Sequence, residues 1–283
     1  MSATTTASPK AVIFDAYGTL FDVHSVIAAA EQMFPGHGDA LSQLWRLKQI
    51  EYTQLRTLAD APQTPGAHYR PFQDITLDAL RFAAKKLQLT LGRAAEKRLM
   101  DEYACLSAFP DALPALRALR EPGASPSTRP APVHSESAIR RVGLAILSNG
   151  NPQMLDVALK SAGMSGLFDH VLSVDAVRAY KPSRAAYALG TQAFDAPSSE
   201  IVFVSSNGWD VAGATWFGFT TFWLNRQNAP LEELGVTPHG AGSRMSDLLA
   251  FLASLAPPGR LANDPGNGPD NPRGSRKRPR SGT

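Results

Sequence analysis

The chain has 283 residues, of which 43% are hydrophobic and 19% charged, and its formal net charge is +3. These values are typical of a globular protein with one large domain, or with a core domain and a smaller second one. The single cysteine, Cys105, excludes an internal disulfide framework and a zinc site built from clustered cysteines. The sequence has no apolar run of transmembrane length, and its first ten residues lack the apolar stretch of a secretory signal. We therefore expect a cytoplasmic protein without membrane contact.

The basic residues are concentrated at the C-terminal end. Residues 256–283 contain six lysines and arginines and two aspartates, which gives this segment a net charge of +4 and leaves −1 for the rest of the chain. The segment is also rich in proline, glycine and asparagine, a composition typical of disorder. We predict a disordered basic tail at residues 256–283. The nearly neutral body argues against nucleic acid as the main partner.

The first predicted element is a short buried strand. Residues 1–9 are small and polar, and we expect them to be disordered. Residues 11–14 (AVIF) form an apolar run that ends at Asp15 and meets a turn at Gly18 and Thr19. An acid at the end of a buried strand faces the crevice in which open α/β sheets bind ligands.

The next segment has a helical pattern. Apolar residues recur at helical spacing in residues 26–34, 40–58, 75–87 and 94–106, with stretches that contain proline or glycine between them. We predict four helices and no strand, inserted between the first strand and the rest of the fold. This insertion, residues 24–106, is called the cap below.

After residue 109, strands and helices alternate. Strands are predicted at residues 142–147, 171–174, 201–204 and 221–224, and helices at residues 112–120, 151–162, 183–194 and 211–217. This alternation predicts an α/β fold, a doubly wound, Rossmann-like parallel sheet, with residues 10–23 and 107–255 as its core domain. The proline- and serine-rich residues 121–137 are predicted to form a loop that is long for such a connection.

Polar residues follow four of the predicted strands. Because the carboxyl ends of parallel strands lie at one edge of a sheet, these residues converge although they are far apart in sequence. A single polar residue after a strand is ordinarily a turn or a helix cap, whereas four such strand ends together indicate a site. The residues are Asp15, the pair Ser148 and Asn149, Lys181, and the group Ser205, Asn207 and Asp210.

Five segments carry a resemblance to a known family. They read FDAYGTLFDVHSV, LWRLKQIEYTQLR, LAILSNGNPQ, LSVDAVRAYKPSRAAY and FVSSNGWDVAGATWFGF. Together they resemble the ordered motifs of the haloacid dehalogenase superfamily, and the match is closest to the L-2-haloacid dehalogenases, over residues 10–255. The resemblance implies an (S)-2-haloacid dehalogenase, a hydrolase that acts on the carbon–halide bond of short L-2-haloalkanoic acids. Members of that family are commonly homodimers.

The superfamily also includes phosphatases, which resemble one another in a D-x-D-x-T loop that supplies an attacking acid and a proton-donating acid. Here Tyr17 replaces the second acid, so a phosphate ester would lack its proton donor, whereas halide leaves without one. Phosphatases also need acidic Mg²⁺ ligands in the last motif, but Ser205 and Asn207 are neutral and only Asp210 remains. We predict no metal and no cofactor, and the alternative function is a small-molecule phosphatase or other hydrolase of the superfamily.

The resemblance implies a two-step reaction at Asp15. The Asp15 carboxylate displaces halide from C2 of the substrate to form an ester, and water then attacks the side-chain carbonyl of that ester. A single displacement at C2 inverts its configuration, so an L-2-haloacid yields a D-2-hydroxyacid. Lys181 is expected to hold Asp15 ionised and in place, the alternative being a solvated surface lysine.

The resemblance assigns roles to further residues. Arg46, in a cap helix, assists the departing halide or the substrate anion, the alternative being an exposed helix arginine. Thr19 bonds the Asp15 carboxylate or serves only in the turn, and the Tyr187 hydroxyl orients the site or belongs to a core tyrosine. Ser148 and Asn149 bind the substrate carboxylate at a helix N-terminus, where anions are favoured, or act only as helix caps.

Two groups complete the predicted site. Ser205, Asn207 and Asp210 are expected to order Lys181 and the hydrolytic water, with Asp210 as the acid that polarises this water. The alternative for Asp210 is an ordinary acid in the first turn of a helix. An apolar wall that excludes stray water is expected from Tyr17, Ile50, Phe72 and Trp209, although aromatic residues are more often simply core.

The expected partners are a small 2-haloacid and a second copy of the chain, for which apolar cap helices would suit an interface. A third function, from another class, is nucleic-acid binding through the sequence RGSRKRPR in the tail, which could contact phosphates. The near-neutral body and the complete catalytic set make it less favoured than the dehalogenase.

Overall fold

The protein is built on one parallel β-sheet. The computed structural model describes residues 9–121 and 142–255, and within these residues the sheet has six strands in the order β3-β2-β1-β4-β5-β6. All neighbouring strands pair in parallel. The strands are β1 (Ala11–Phe14), β2 (Gly143–Ser148), β3 (His170–Ser173), β4 (Ile201–Ser205), β5 (Thr220–Leu224) and β6 (Gly240–Gly242).

Helices connect β1 to β5 in chain order, as parallel strands require, whereas an irregular segment, residues 225–239, leads from β5 to β6. Two short 3₁₀ turns, Val174–Ala176 and Ser198–Glu200, precede α7 and β4. The helices are α1 (Ile27–Met33), α2 (Gly38–Leu58), α3 (Phe72–Lys86), α4 (Arg93–Ala104), α5 (Ala112–Arg120), α6 (Pro152–Ser161), α7 (Arg184–Phe194), α8 (Gly208–Phe217) and α9 (Met245–Leu255). The predicted fold class, an α/β protein with a doubly wound parallel sheet, is confirmed.

Strand β1 occupies the middle of the sheet. Its residue Ala11 pairs with Gly143 of β2 on one side and with Ile201 of β4 on the other. All four residues of β1 are fully buried, because helices cover both faces of the sheet. The strand therefore needs apolar residues at every position, as the run AVIF provides, and Asp15 follows at the edge where β2 and β4 also end.

Helices α1 to α4 follow β1 and form the cap. Within residues 24–106, all of which the structure describes, there is no strand, as predicted. The chain leaves for the cap and returns from it side by side, where the backbone N–H of Asp22 donates to the carbonyl of Ser107 at 2.8 Å. We propose this pair of crossings as the boundary between the core domain and the cap.

The last two elements are not predicted from the sequence. Strand β6 has only three residues, two of them glycine, and so offers neither an apolar run nor the side chains that are common in strands. Helix α9, in contrast, has apolar residues at helical spacing and packs on β5 and β6. This spacing was a usable signal for a helix at residues 245–255.

Several boundaries differ by a few residues from those predicted. Helix α8 begins at Gly208 rather than at residue 211, and α3 begins at Phe72 rather than at residue 75. Other predictions lie outside the described residues: the disorder of residues 1–8, the loop over residues 122–137 and the tail at residues 256–283.

Helix α6 offers a direct test of the core. Leu155 is fully buried in the hydrophobic core, whereas Val157, on the opposite side of the same helix, is 39% exposed. We expect Leu155→Ala to lower the free energy of unfolding by about 2–5 kcal/mol, because it removes buried methyl groups and leaves a cavity. Val157→Ala serves as the matched control, with an expected change within about 1 kcal/mol. Urea denaturation measures both, and equal losses would contradict this placement of α6.

Candidate active site

The site lies where three neighbouring strands end. Asp15 directly follows β1, Ser148 is the last residue of β2, and Ser205 is the last residue of β4. The backbone N–H of Asp15 donates to the carbonyl of Val204 at 2.8 Å, so the sheet hydrogen bonding continues up to the acid. The main chain that carries Asp15 is therefore held rigidly, and its side chain is almost completely buried.

Lys181 connects two carboxylates at the centre of this edge. Its Nζ donates to Asp15 Oδ1 at 2.7 Å, to Asp210 Oδ2 at 2.6 Å and to the carbonyl of Leu147 at 3.2 Å. The lysine is 1% exposed and Asp210 is fully buried. Three hydrogen bonds use all three N–H groups of the ammonium, which is what a buried cation requires.

The charges of this trio depend on one another. Burial acts to lower the pKa of Lys181, but the carboxylates of Asp15 and Asp210 outweigh it and hold this pKa above its usual value. Burial raises the pKa of Asp210, and the Lys181 ammonium opposes this rise. Lys181 therefore remains a cation at neutral pH, and it is the counter-ion for both acids.

The second oxygen of Asp15 has its own donors. Thr19 Oγ1 and Asn207 Nδ2 each donate to Asp15 Oδ2 at 2.9 Å. Thr19 in turn accepts the backbone N–H of Ser206 at 2.8 Å, and Ser205 Oγ accepts the backbone N–H of Asn207 at 3.1 Å. Both oxygens of Asp15 are therefore held in a fixed orientation, Oδ2 by residues that follow β1 and β4 and Oδ1 by Lys181.

Asp210 is held in a similar way. Its Oδ1 accepts the Tyr187 hydroxyl at 2.8 Å while Oδ2 accepts Lys181, so protein donors engage both of its oxygens. Burial raises the pKa of Tyr187 well above its ordinary value, and Tyr187 consequently acts as a neutral donor. Asp210 lies in the first turn of α8, where a carboxylate is stabilised by the helix dipole.

The cap contributes a second cation. Arg46, on α2, donates through Nη2 to the carbonyl of Tyr17 at 3.0 Å and to Asn207 Oδ1 at 3.2 Å. Its Nη1 donates to Gln49 Oε1 at 2.7 Å. Since Asn207 also bonds Asp15, the guanidinium is one residue away from the carboxylate that the strand presents.

Ser148 and Asn149 lie between the lysine and the start of α6. Ser148 Oγ accepts the backbone N–H of Gly150 at 3.0 Å, and Asn149 Oδ1 accepts the backbone N–H of Lys181 at 3.0 Å. Neither side chain caps α6, whose N-cap residue is Asn151. Asn149 is therefore connected to Lys181, a contact that the sequence did not predict.

Two of the four residues predicted to form an apolar wall contact each other. The Tyr17 ring lies 5.6 Å from the Phe72 ring and 5.9 Å from the Tyr103 ring, measured between centroids. Ile50 and Trp209 are half-buried and take no part in these ring contacts. The contact between Tyr17 and Phe72 joins the core to the cap beside Asp15.

Comparison with known proteins identifies the family. The family model described as haloacid dehalogenase-like hydrolase matches residues 9–218. A (S)-2-haloacid dehalogenase of Pseudomonas sp. (strain YL) is 44% identical over 229 residues, which cover 81% of this chain and 88% of that protein. The chain belongs to the haloacid dehalogenase-like hydrolases. The resemblance predicted from the five sequence segments is confirmed.

Solved structures of haloacid dehalogenases share the fold. One L-2-haloacid dehalogenase is 60% identical, with a TM-score of 0.78, and the match covers 87% of this chain and all of that one. The L-2-haloacid dehalogenase from Xanthobacter autotrophicus, solved with chloropropionic acid covalently bound, is 33% identical with a TM-score of 0.73. That match covers 88% of this chain and 100% of the other.

One buried residue of this haloacid dehalogenase-like site is not predicted from the sequence. Gln49 Oε1 accepts both Arg46 Nη1 at 2.7 Å and the Tyr103 hydroxyl at 3.0 Å, and Gln49 Nε2 donates to Thr76 Oγ1 at 2.7 Å. It is fully buried and lies one helical turn after Arg46. The sequence could have indicated this residue, because it places a glutamine on the apolar face of an amphipathic helix. A buried amide there must find hydrogen-bond partners.

The buried ion trio makes a testable contribution to stability. We expect Lys181→Met to lower the free energy of unfolding at pH 7 by about 3–5 kcal/mol, because it leaves two buried carboxylates without a cation. Burial then holds the pKa of Asp210 above its unfolded value, so the folded state binds more protons than the unfolded state. The loss should consequently be small near pH 4 and grow as the pH rises.

The control is a lysine in an exposed ion pair. Lys10 lies 3.0 Å from Glu200 and its side chain is 48% exposed. Lys10→Met should cost no more than about 1 kcal/mol and show no such pH dependence. Urea denaturation between pH 4.5 and 8 compares the two variants, and parallel curves for both would refute the role given to the buried trio.

Proposed function

We propose that this protein hydrolyses short L-2-haloalkanoic acids to D-2-hydroxyalkanoic acids and halide. The observation that carries the proposal is the Asp15 carboxylate, buried at the strand edge and paired with Lys181 at 2.7 Å. The relatives named (S)-2-haloacid dehalogenase and the structure with covalently bound chloropropionic acid support the same reaction for this chain.

In the first step the Asp15 carboxylate attacks C2 of the substrate. An oxygen–carbon bond forms while the carbon–halide bond breaks, and halide leaves with the bonding electron pair. Lys181, Thr19 and Asn207 fix the carboxylate so that one orientation meets the substrate. The single displacement inverts C2, which gives the D configuration from an L substrate.

The substrate is a carboxylate anion, and the halide that it loses is a second anion. Cationic side chains and helix dipoles at the site stabilise both negative charges. Arg46 supplies the guanidinium that assists the departing halide or the substrate anion. Ser148 and Asn149, ahead of α6, supply polar groups for the carboxylate at the positive end of that helix. Tyr17 and Phe72 provide the apolar wall that excludes stray water, to which we also assign Ile50 and Trp209.

In the second step water attacks the side-chain carbonyl of the Asp15 ester. The bond between that carbonyl carbon and the substrate-derived ester oxygen breaks, the hydroxyacid leaves with the oxygen that Asp15 donated, and a water oxygen replaces it in the regenerated carboxylate. One of the two water protons ends on the hydroxyl of the product and the other is released to solvent. We assign Asp210 as the acceptor of the water proton, since burial raises its pKa and makes it a stronger base than an exposed aspartate. Tyr187 and Lys181 hold Asp210 in place for this step.

A phosphatase of the same superfamily is the alternative function, and the donor set does not fit it. A magnesium ion needs several carboxylate oxygens, but Ser205 and Asn207 are neutral and leave Asp210 as the one acid of the last motif. Tyr17 likewise stands where the second acid of the phosphatase loop would be. The described residues contain no group of three histidine, cysteine or acidic side chains that could hold a metal ion. No step of the reaction is therefore assigned to a metal.

The decisive experiment is halide release from L- and D-2-chloropropionate in the presence of EDTA. We expect release from the L form only, with D-lactate as the product. Asp15→Asn should lower kcat by about 10⁴-fold or more, because the amide is not a nucleophile. In a single turnover in H₂¹⁸O, the label should enter the Asp15 side chain and not the lactate. Direct attack of water on C2 would instead place the label in the lactate.

Other outcomes have defined meanings. Turnover of a phosphate ester that depends on Mg²⁺, with no halide release from either enantiomer, would move the function to the phosphatase alternative. Label in the lactate after one turnover would leave the dehalogenase assignment but remove Asp15 as the nucleophile.

We also propose that the protein is a homodimer that uses the outer face of the cap. Three large apolar side chains on α2 and one on α3 are at least one-third exposed, and monomeric proteins rarely expose large apolar patches. Phe82 of α3 packs edge-on against Tyr52 of α2, so an exposed aromatic ring of α3 lies against the helix that carries the exposed leucines. The exposed residues are Leu47, Leu55, Leu58 and Phe82.

Light scattering with size-exclusion chromatography tests the dimer. Leu55→Asp should convert the wild-type dimer to a monomer, because it places a charge in the apolar interface. Val171→Asp, at an exposed position of the edge strand β3, is the matched control and should leave the dimer intact. A monomeric wild type, or a dimer that survives Leu55→Asp, would refute this interface.

We propose the cytoplasm as the location of the protein. Cys105 is an exposed free thiol, which persists in a reducing compartment. None of the helices in the described part of the chain has the length and apolar character needed to cross a bilayer.

A further inference from the structure

Lys181 lies at the end of a loop that the cap touches directly. The loop, residues 175–181 and called the lysine loop below, runs from the 3₁₀ turn after β3 towards α7. Core contacts alone do not hold it: Asn149 bonds the backbone N–H of Lys181, but the preceding residues face the cap. The position of the Lys181 ammonium therefore depends on both parts of the molecule.

One hydrogen bond joins α2 to the residue immediately before Lys181. The backbone N–H of Tyr180 donates to Thr57 Oγ1 at 2.9 Å. Tyr180 is fully buried and its hydroxyl donates to the carbonyl of Arg70 in the cap. The peptide that leads into Lys181 is thus fixed by a cap hydroxyl.

Further contacts join the segment after α2 to the lysine loop. The Tyr69 hydroxyl donates to Asp175 Oδ1 at 2.7 Å, and Arg178 Nη2 donates to the carbonyl of Gly66 at 3.1 Å. The Tyr69 ring stacks on the Tyr180 ring with centroids 5.0 Å apart. These contacts cover the loop along its length, so a shift of the cap would be transmitted to Lys181.

The same helix also reaches the other side of the nucleophile. Arg46 of α2 bonds Asn207, which donates to Asp15, and Thr57 lies eleven residues further along. Eleven residues of α-helix span about 16 Å. Helix α2 is therefore fixed to the core at two separated points. At one point Arg46 bonds Asn207, a partner of Asp15, and at the other Thr57 bonds Tyr180, the residue before Lys181.

We propose that Thr57 is a positioning residue for the dehalogenation reaction, which sets the placement of the Lys181 ammonium against Asp15 through the backbone of Tyr180. This inference rests on the proposed function. It assigns to the cap a role beyond supplying Arg46: α2 aligns the lysine that pairs with the nucleophile. Thr57 does not touch the reacting atoms in this arrangement and acts only through Tyr180 and Lys181.

Thr57→Val tests the proposal, because it keeps the shape of the side chain and removes the acceptor. We expect kcat for L-2-chloropropionate to fall about tenfold while KM changes by less than about twofold, since the groups that bind substrate stay in place. Thr57→Ser restores the hydroxyl and should recover kcat. Tyr69→Phe, which removes the bond to Asp175 but keeps the ring stack, should lower kcat in the same way.

Thr53→Val is the matched control. Thr53 lies one turn earlier on α2, and its hydroxyl donates within the helix to the carbonyl of Ile50 at 2.7 Å. It should match the wild type in kcat, although it loses a hydroxyl from the same helix. Thermal unfolding of every variant shows whether a loss of kcat accompanies a general loss of stability.

The outcomes separate this inference from the proposed function. No halide release by the wild type would refute the function itself. An active wild type with unchanged kcat in Thr57→Val would overturn the positioning role alone. Equal losses in Thr57→Val and Thr53→Val, or a loss that Thr57→Ser does not recover, would also overturn it, since either points to a structural effect of α2.

Discussion

A buried lysine imposes the strictest requirement on this molecule. An ammonium group removed from water needs a full set of acceptors, and Lys181 finds them in Asp15, Asp210 and the carbonyl of Leu147. Those three acceptors come from the ends of β1 and β2 and from the first turn of α8. The sheet must therefore be assembled in register before the lysine can be accommodated, and the same register places the nucleophile.

The cap completes this arrangement rather than merely covering it. Arg46 bonds the carbonyl of Tyr17 and the amide oxygen of Asn207, and the Tyr17 ring packs against Phe72. Gln49 Oε1 accepts a hydrogen bond from Arg46 Nη1 at 2.7 Å. Neighbours on both sides thus fix one orientation of a cation on a long, flexible side chain. A site that is ordered in this way does not have to reorganise its polar groups during the reaction.

Much of the site could be predicted because strand ends are legible in a sequence. Asp15, Ser148 and Ser205 each follow an apolar run, and parallel pairing brings their strand ends together whatever the length of chain between them. The roles assigned to these residues remain predictions. Lys181 was harder to place, because it lies well beyond the end of β3 and a loop of irregular backbone carries it to Asp15.

Other contacts could not be predicted because they arise only in the folded chain. Thr57 and Tyr180 have no sequence relation to one another, and the bond between them depends on how the cap is seated on the lysine loop. Asn149 was expected at the substrate or at a helix end, yet its oxygen holds the backbone of Lys181. Strand β6 was not predicted, because two of its three residues are glycine and it therefore has no pattern of apolar side chains.

The central position of β1 has a consequence for how the chain is made. Its Ala11 pairs with Gly143 and with Ile201, so both partners are synthesised more than a hundred residues after it. Contacts so distant in sequence slow folding, because the intervening chain must be brought together first. Until the ribosome has synthesised the cap and β2, the AVIF segment has no neighbouring strand with which to pair. The strand that carries the nucleophile is therefore an early apolar segment in need of protection until β4 emerges.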